Sequence, residues 1–304
     1  MKAQKLTPFG YFGGKYFMTD KLIPLFPRHK TYIEVFGGSG TILINKKPSE
    51  IEVYNDIDGE LYNFFKVIAD EKLFKEFQEK ISLLPYSREC YYEYRNMQVD
   101  KLDKAERAVR FYYLIKSTIN GEHPNAKKGA GWRFSIDVNI PKYIRKSIDK
   151  LILIHKRLSE VYIDNLDFRK LIANWDRTDT FFYLDPPYVK NSRKSGGYMF
   201  EITDEDHNDL IDILSNVKGK WLLSGYDNEI YNDRLSGFYR QDFNCFANSL
   251  RYRNKYKRFK AVFLKTAHEL EMPVEVIFAD YDEFSLRERN EMLSNKILNN
   301  FLGV

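Results

Sequence analysis

The sequence is poor in the side chains that build disulfide frameworks and metal sites. Its two cysteines, Cys90 and Cys245, are far apart and lie in no Cys-x-x-Cys pattern, which argues against a disulfide scaffold and a zinc ribbon. The five histidines are scattered and include no His-Glu-x-x-His pattern, so we predict no metal site. No apolar run approaches membrane-spanning length, and the amino-terminal residues lack a signal-peptide core. We therefore expect a cytoplasmic protein without a membrane partner.

Aromatic and basic residues, by contrast, are abundant. Aromatic residues make up 16% of the chain, and a hydrophobic content of 43% is enough for a core. The formal charge of +5 is compatible with a polyanionic partner, although modestly basic enzymes without one are common. At 304 residues, the chain is long enough for one large α/β domain or for a domain with an insertion.

Strands and helices alternate along much of the chain. The amino-terminal pattern predicts a strand at Thr31 to Phe36, followed by a glycine turn at Gly37 to Gly40 and a helix from Thr41. It then predicts a second strand at Glu52 to Asn55 and a second helix at Leu61 to Ala69. The alternation resumes later, with strands predicted at 161–163, 180–184, 220–224, 237–243 and 260–265 and a helix after Thr203. This order predicts a parallel sheet covered by helices.

A long helical segment interrupts that alternation. From Glu71 to Asn120 the sequence is charged and helical in period, and from there to Asn139 it is glycine-rich and basic. Pro141 can open a further helix. We therefore predict an α/β domain of residues 1–69 and 160–280, a mainly helical insert at 70–159, and a helical tail at 281–304.

The most informative residues are Asp185-Pro186-Pro187-Tyr188, which follow the apolar run Thr180 to Leu184. Two prolines cannot continue a strand, so a carboxylate, a rigid turn and a ring stand at its carboxyl end, where open α/β sheets bind ligands. The acid and a proline carbonyl suit the hydrogens of an exocyclic amine on a planar base, and the tyrosine suits stacking on that base. The alternative is a strand-ending turn with a chance acid.

The glycine turn predicts a second part of a ligand site. Leu43 stands where a dinucleotide Gly-x-Gly-x-x-Gly pattern needs glycine, so a nucleoside-type ligand fits better than a pyrophosphate. Asp56 ends the next strand about 20 residues on, the spacing of an acid that binds ribose hydroxyls. Alternatively, the turn is structural and Asp56 is a helix N-terminal acid beside Asp58 and Glu60.

Two further segments carry groups suited to the same ligand. Gly13-Gly14-Lys15 is too short for a P-loop, but its lysine suits a ligand carboxylate. Asp167 and Phe168 follow the predicted strand at 161–163, where they can bond to and stack on an adenine. The alternative is ordinary helix capping by Asp167, with Phe168 in the core.

In this order the motifs FGYFGGK, EVFGGSG, YNDID, NLDF and DPPY resemble the DNA adenine methylase (Dam-type) family of adenine-N6 methyltransferases. The resemblance covers residues 8 to 265 and implies a Rossmann-like sheet that binds S-adenosylmethionine, with the insert recognising the target sequence. It places the target base at Asp185, Pro186 and Tyr188. It assigns the cofactor to Tyr11, Lys15, Phe36, Gly38, Asp56, Asp167, Phe168 and Asp185. The insert matches the family only loosely, which leaves the target sequence open.

The resemblance implies site-specific methyl transfer to adenine N6 in double-stranded DNA, with the target nucleotide flipped out of the duplex. A cognate restriction endonuclease, acting separately, would be a further partner. Neither cysteine lies in the Pro-Cys setting that cytosine-C5 methylation needs. The alternatives are another exocyclic amine (cytosine N4 or an RNA adenine) and a non-catalytic DNA-binding relative.

Basic segments supply the candidate DNA contacts. Arg133 suits a guanine edge and the lysines near it suit phosphates, although the alternative is a solvated loop. In the run at 251–260, basic residues occupy alternate positions, so an extended chain can place them along a phosphate backbone. The alternative is that the run is a positively charged edge strand. The residues expected to contact DNA are Asn120, Lys127, Lys128, Arg133, Lys190, Arg193, Arg251 and Arg253.

Overall fold

A computed structural model describes residues 5–126, 131–189, 199–246 and 257–264, and gives only the backbone of Asn120, 244–246 and 257–264. The predicted tail at 281–304 lies outside these residues, and so do several expected DNA contacts: Lys127, Lys128, Lys190, Arg193, Arg251 and Arg253. All described residues belong to one compact unit, Met1–Ala267. The domain boundaries within it stay predictions.

The described strands form a single sheet. They are β1 (Thr31–Glu34), β2 (Ile51–Asn55), β3 (Tyr162–Asp164), β4 (Thr180–Leu184), β5 (Lys220–Tyr226), β6 (Tyr239–Phe246) and β7 (Lys257–Leu264). Their order is β3-β2-β1-β4-β5-β7-β6. The first five in chain order are parallel, and β7 runs antiparallel to both of its neighbours. This arrangement confirms the predicted Rossmann-like α/β class.

The strand order creates a crevice between β1 and β4. Thr31 of β1 pairs with Ile51 of β2 on one side and with Thr180 of β4 on the other. The chain moves outward from β1 toward β2 and β3, and from β4 toward β5, so the connections leave in opposite directions. Open α/β sheets bind ligands at the carboxyl ends of the strands at such a switch point.

Helices cover the sheet and fill the insert. Those of the described residues are α1 (Thr19–Leu22), α2 (Thr41–Asn45), α3 (Gly59–Ala69), α4 (Glu71–Leu83), α5 (Arg88–Asn96), α6 (Lys104–Ser117), α7 (Ile140–Asp149), α8 (Leu151–Leu158), α9 (Phe168–Trp175), α10 (Asp204–Asn216) and α11 (Glu229–Arg234). Short 3-10 helices occupy Tyr16–Met18, Ile23–Leu25, Val99–Lys101 and Ile119–Gly121. No helix in these ranges is long and apolar enough to cross a membrane.

The central strands are buried because apolar side chains cover both of their faces. Every residue of β1 and β4 is buried. Phe182 and Ile33 belong to a core cluster that includes Leu171 of α9 and Leu210 of α10. On the other face, the ring of Phe181 lies 4.7 Å from that of Phe26. Burial on both faces explains why these strands read as continuous apolar runs.

The helices of the predicted insert pack against α3. The rings of Phe64 on α3 and Tyr112 on α6 stack with centroids 5.7 Å apart and an interplanar angle of 4°. Arg107 on α6 forms an ion pair of 2.6 Å with Glu60 on α3. Pro141 lies in the first turn of α7, as predicted. The insert therefore rests on the helix that directly follows β2.

The carboxyl-terminal strands differ in one respect from the sequence expectation. Lys257–Leu264 lies between β5 and β6, and hydrogen bonds pair it with both neighbours. The edge-strand explanation of its basic residues therefore does not hold for this part of the run. Sequence patterns predict that a strand forms, but its place in the sheet depends on pairings with residues elsewhere in the chain.

Candidate active site

An open cavity lies at the carboxyl ends of β1 and β4. The residues that line it include 11–15, the glycine turn at 36–39, Asp56 to Asp58, Asp185, Met199, Phe200 and Ile202. Tyr11, Lys15, Phe36, Gly38, Asp56 and Asp185 were all expected in the cofactor site and are brought together here. The cavity lies at the switch point of the sheet.

The glycine turn shapes one wall of the cavity. Gly38 and Gly40 have φ values of +51° and +60°, which side-chain-bearing residues rarely adopt. The hydroxyl of Tyr54 donates to the Gly38 carbonyl at 2.8 Å, and the Tyr54 ring fills the space that a Cβ at Gly37 would need. The turn is thereby held in one conformation, with its backbone facing the cavity.

Asp56 stands at the end of β2 and is fixed by backbone donors. Its Oδ2 accepts the N–H of Gly38 at 2.8 Å, and its Oδ1 accepts the N–H of Asp58 at 2.9 Å. Burial raises the pKa of Asp56 to about 6 despite these two hydrogen bonds. Each oxygen keeps a lone pair for a further donor. The site can therefore accept two hydroxyl groups of a ligand.

Asp185 is held through both of its oxygens. Oδ1 accepts the hydroxyl of Ser224 on β5 at 2.9 Å, and Oδ2 accepts the ammonium of Lys15. Lys15 also donates to the hydroxyl of Tyr188 at 2.9 Å and to the carbonyl of Gly13 at 3.0 Å. Three segments far apart in sequence thus hold the carboxylate in one orientation.

A sequence profile of D12 class N6 adenine-specific DNA methyltransferases matches residues 11–244 of the chain. The chain belongs to this family. The match covers the glycine turn, Asp56, the insert and the Asp-Pro-Pro-Tyr segment. It confirms the resemblance drawn from the sequence, and with it an adenine-specific DNA methyltransferase as the kind of enzyme.

Individual relatives agree with the family assignment. The type II methyltransferase M1.LlaDCHI of Lactococcus lactis subsp. cremoris is 27% identical over 250 residues, which cover 75% of this chain and 85% of the relative. The DNA adenine methylase of Escherichia coli (strain K12) is 30% identical over 184 residues, covering 58% and 63%. The modification methylase StsI of Streptococcus sanguinis is 24% identical over 196 residues, and that match spans only 28% of its length.

In this D12-class chain, two expected cofactor residues, Asp167 and Phe168, do not line the cavity. Asp167 caps α9 by accepting the N–H of Arg169 at 2.9 Å. Phe168 is buried in the core, where its ring lies 5.8 Å from that of Phe36, a residue of the cavity wall. This geometry is the helix-capping alternative. Asn165, from the same motif, donates to the backbone carbonyl of Asp56 at 2.7 Å.

The cavity also contains residues that the sequence analysis did not select. Met199, Phe200 and Ile202 add an apolar wall, and Glu34 lies at the end of β1. Burial raises the pKa of Glu34 to about 8, although the hydroxyl of Tyr32 and the N–H of Leu43 both donate to its Oε2 at 2.8 Å. An acid inside an apolar strand is a signal that could have identified Glu34.

Tyr188 lies beside the cavity wall. Its side chain is buried, and its ring meets that of Tyr226 edge-on, with centroids 4.5 Å apart. Lys15 lies 5.3 Å from the centre of the same ring. The tyrosine is therefore held on two sides next to Asp185.

Among the expected DNA contacts, the structure describes the side chain of Arg133 and the backbone of Asn120. Asn120 lies in the 3-10 helix Ile119–Gly121, directly after α6. Arg133 lies on the strand-like segment that pairs with the end of α6 through a bridge between Thr118 and Trp132. Both residues belong to the insert and lie outside the cavity wall.

Proposed function

We propose that this chain transfers a methyl group from S-adenosylmethionine to adenine N6 at specific sites in double-stranded DNA. The arrangement of Asp185 carries this proposal. Its carboxylate opens on the cavity at the carboxyl end of β4, while Lys15 and Ser224 hold its two oxygens. A fixed acceptor at the edge of an open cavity suits an exocyclic amine as the nucleophile.

The residues of the cavity fit S-adenosylmethionine. Asp56 has lone pairs for the ribose hydroxyls, the exposed backbone of the glycine turn allows close approach, and the rings of Tyr11 and Phe36 provide apolar surface. When bound, this cofactor supplies the methyl group. Lys15 would lie between the cofactor and the target base, because it lines the cavity and contacts Asp185 and Tyr188.

Asp185 and the carbonyl of Pro186 would accept the two hydrogens of the adenine amine. The amine nitrogen is thereby biased toward a tetrahedral geometry with an available lone pair, which is the form that attacks. Positioning and fixed electrostatics then supply most of the acceleration, and no enzyme thiolate is required. Because a duplex hides this amine, the nucleotide must be flipped out, and the ring of Tyr188 would stack on it.

Methyl transfer from labelled S-adenosylmethionine tests this proposal directly. Duplex DNA should accept label at adenine, whereas RNA and DNA without adenine should not. Asp185→Ala should abolish transfer while the protein stays folded. Asp179→Ala is the matched control, because this exposed acid lies at the amino end of the same strand. Wild-type turnover in the Asp185 variant, or preferred labelling of RNA or cytosine, would contradict the proposal.

Two substitutions separate the ring of Tyr188 from its hydroxyl. Tyr188→Ala should lose much of the activity, because stacking of a base on an aromatic ring contributes about 1–3 kcal/mol. Tyr188→Phe should be milder, since it keeps the ring and loses only the hydrogen bond between the hydroxyl and Lys15. Equal losses in the two variants would assign the role to the hydroxyl instead.

A cognate restriction endonuclease, acting separately, is part of the same proposal. Two relatives carry names that indicate this setting, a modification methylase and a type II methyltransferase. Sequencing of modified bases in DNA from cells that produce the protein would give the recognition site. That site should then be protected from an endonuclease of the same specificity.

A further inference from the structure

Lys116 is a buried lysine near the end of α6 in the insert. Its side chain is 6% exposed. The groups around its ammonium are aromatic rings, with the centre of Tyr143 at 4.8 Å and that of Tyr112 at 5.9 Å. No carboxylate of the described residues contributes to its electrostatic surroundings. An ammonium in such a place lacks the counter-charge that buried lysines ordinarily have.

The charges around Lys116 are positive. Burial, together with the nearby cations Arg133 and Lys150, lowers the pKa of Lys116 to about 8. At neutral pH most of the molecules still carry the charge. The fold thus places a cation where its neighbours oppose it, which costs stability in the free protein.

Arg133 approaches the same aromatic ring. Its guanidinium carbon lies 5.6 Å from the centre of the Tyr143 ring. Its backbone is held on both sides, because its N–H donates to the carbonyl of Ser117 at 2.7 Å and its carbonyl accepts the hydroxyl of Tyr86. Two cations from different segments therefore converge on one tyrosine that is itself 49% exposed.

We propose that Lys116 and Arg133 form a binding site for one backbone phosphate of the DNA target. This inference rests on the proposed function and adds Lys116, with Tyr143 as the ring that positions both cations. An anion placed between the two would supply the missing counter-charge. A lysine and an arginine together suit a phosphate, since one gives a point charge and the other a planar fork. Arg133 is thereby assigned to the DNA backbone and not to a base edge.

The salt dependence of DNA affinity tests this site. The double variant Lys116→Met/Arg133→Met should bind duplex DNA roughly eightfold more weakly at 0.1 M salt, and the log–log slope should flatten by about 0.9, the effect of one lost phosphate contact. The single variants should each lose part of this affinity. Their losses should not add up, because both residues would act on one phosphate.

The ranking of target sites distinguishes a phosphate contact from base reading. A phosphate contact is independent of sequence, so all variants should methylate the same sites in the same order. Cofactor affinity should also stay unchanged. Lys75→Met is the matched control, because this exposed lysine already pairs with Glu71 on α4 and its loss should leave the slope unchanged.

Three results would overturn the inference. The first is an unchanged salt slope in the double variant, and the second is an altered ranking of target sites after Arg133→Met. The third is a double variant that loses binding of inorganic phosphate but keeps its affinity for DNA. Methionine at position 116 removes a buried charge and keeps the chain length, so the variant should fold, and Lys116→Gln provides a second test. Failure of the wild-type protein to bind DNA at all would instead refute the proposed function.

Discussion

Nε2 of His123 lies 2.9 Å from Oδ2 of Asp58, and the two side chains are 8% and 4% exposed. The N–H of Asn125 donates to the other ring nitrogen, which leaves Nε2 facing the carboxylate. Asp58 in turn caps α3 and donates its own N–H to Asp56. A buried contact thus joins the insert to the turn that carries the ribose-binding candidate.

We expect His123→Ala to weaken cofactor binding although His123 does not line the cavity. Loss of the ring removes the 2.9 Å contact with Oδ2 of Asp58 and leaves a space beside this buried acid, so the protein should be less stable than the wild type. The turn at Asp56 should then be less well ordered, and calorimetry should show a several-fold loss of affinity for S-adenosylmethionine. His155→Ala is the control, since His155 bonds to the Ile68 carbonyl within the helices. Unchanged cofactor affinity in His123→Ala would refute this coupling.

The fold was largely predictable because its signals are local. The apolar run Thr180 to Leu184 and the two prolines after Asp185 define a strand and its end without any other part of the chain. The glycine turn and Asp56 can likewise be recognised from the residues next to them. Parallel strands bring their carboxyl ends to one edge of the sheet, so these groups meet in one cavity.

The partners of these groups were not predictable, because they come from distant segments. Lys15 and Asp185 are 170 positions apart, and Ser224 reaches Asp185 from the next strand. In the sequence, Ser224 is only a small polar residue at the end of an apolar run. The location of Phe168 in the core likewise depends on packing that its motif does not specify. Strand order and side-chain packing have to be known before such contacts can be read.

Ser224→Ala should lower turnover and leave cofactor affinity unchanged. The hydroxyl donates to Asp185 at 2.9 Å, and a hydrogen bond to a charged group contributes about 1.5–3 kcal/mol. If the bond orients the carboxylate for the reaction, the turnover number should fall roughly 10- to 100-fold. Single-turnover kinetics would measure this step. Ser215→Ala on α10 is the control, because that hydroxyl bonds only within its own helix. Normal turnover in Ser224→Ala would show that Lys15 alone orients the acid.

Cofactor affinity should decrease when the pH falls through about 6. Burial raises the pKa of Asp56 from 3.8 to about 6. Between these two pH values the folded protein holds a proton on Asp56 that the unfolded chain has released. The contribution of Asp56 to stability therefore decreases as the pH rises over this range. Ribose hydroxyls donate to the ionised acid, so binding should strengthen as the pH rises. Calorimetry at pH 5 and 7.5 should show about a tenfold difference in affinity. Asp56→Asn should bind weakly at both values, and a wild-type affinity equal at both would place the ribose elsewhere.

The stability of Glu34→Gln relative to the wild type should rise as the pH becomes alkaline. The pKa of Glu34 is raised from 4.5 to about 8, so the folded protein retains a proton that the unfolded chain has lost between these values. Wild-type stability therefore falls with rising pH over this range, because the folded state binds more protons than the unfolded state.

Glutamine has no proton to lose, and its amide oxygen can still accept from the Tyr32 hydroxyl and the Leu43 N–H. Chemical denaturation should give the free energy of unfolding of both proteins at pH 6 and pH 9. The value for the variant minus that for the wild type should be about 1 kcal/mol or more higher at pH 9 than at pH 6. Glu50→Gln, at an exposed position, should show no such shift. A constant difference for Glu34→Gln would mean that the acid is already ionised at pH 6, and that it adds a negative charge to the cavity wall near Asp185.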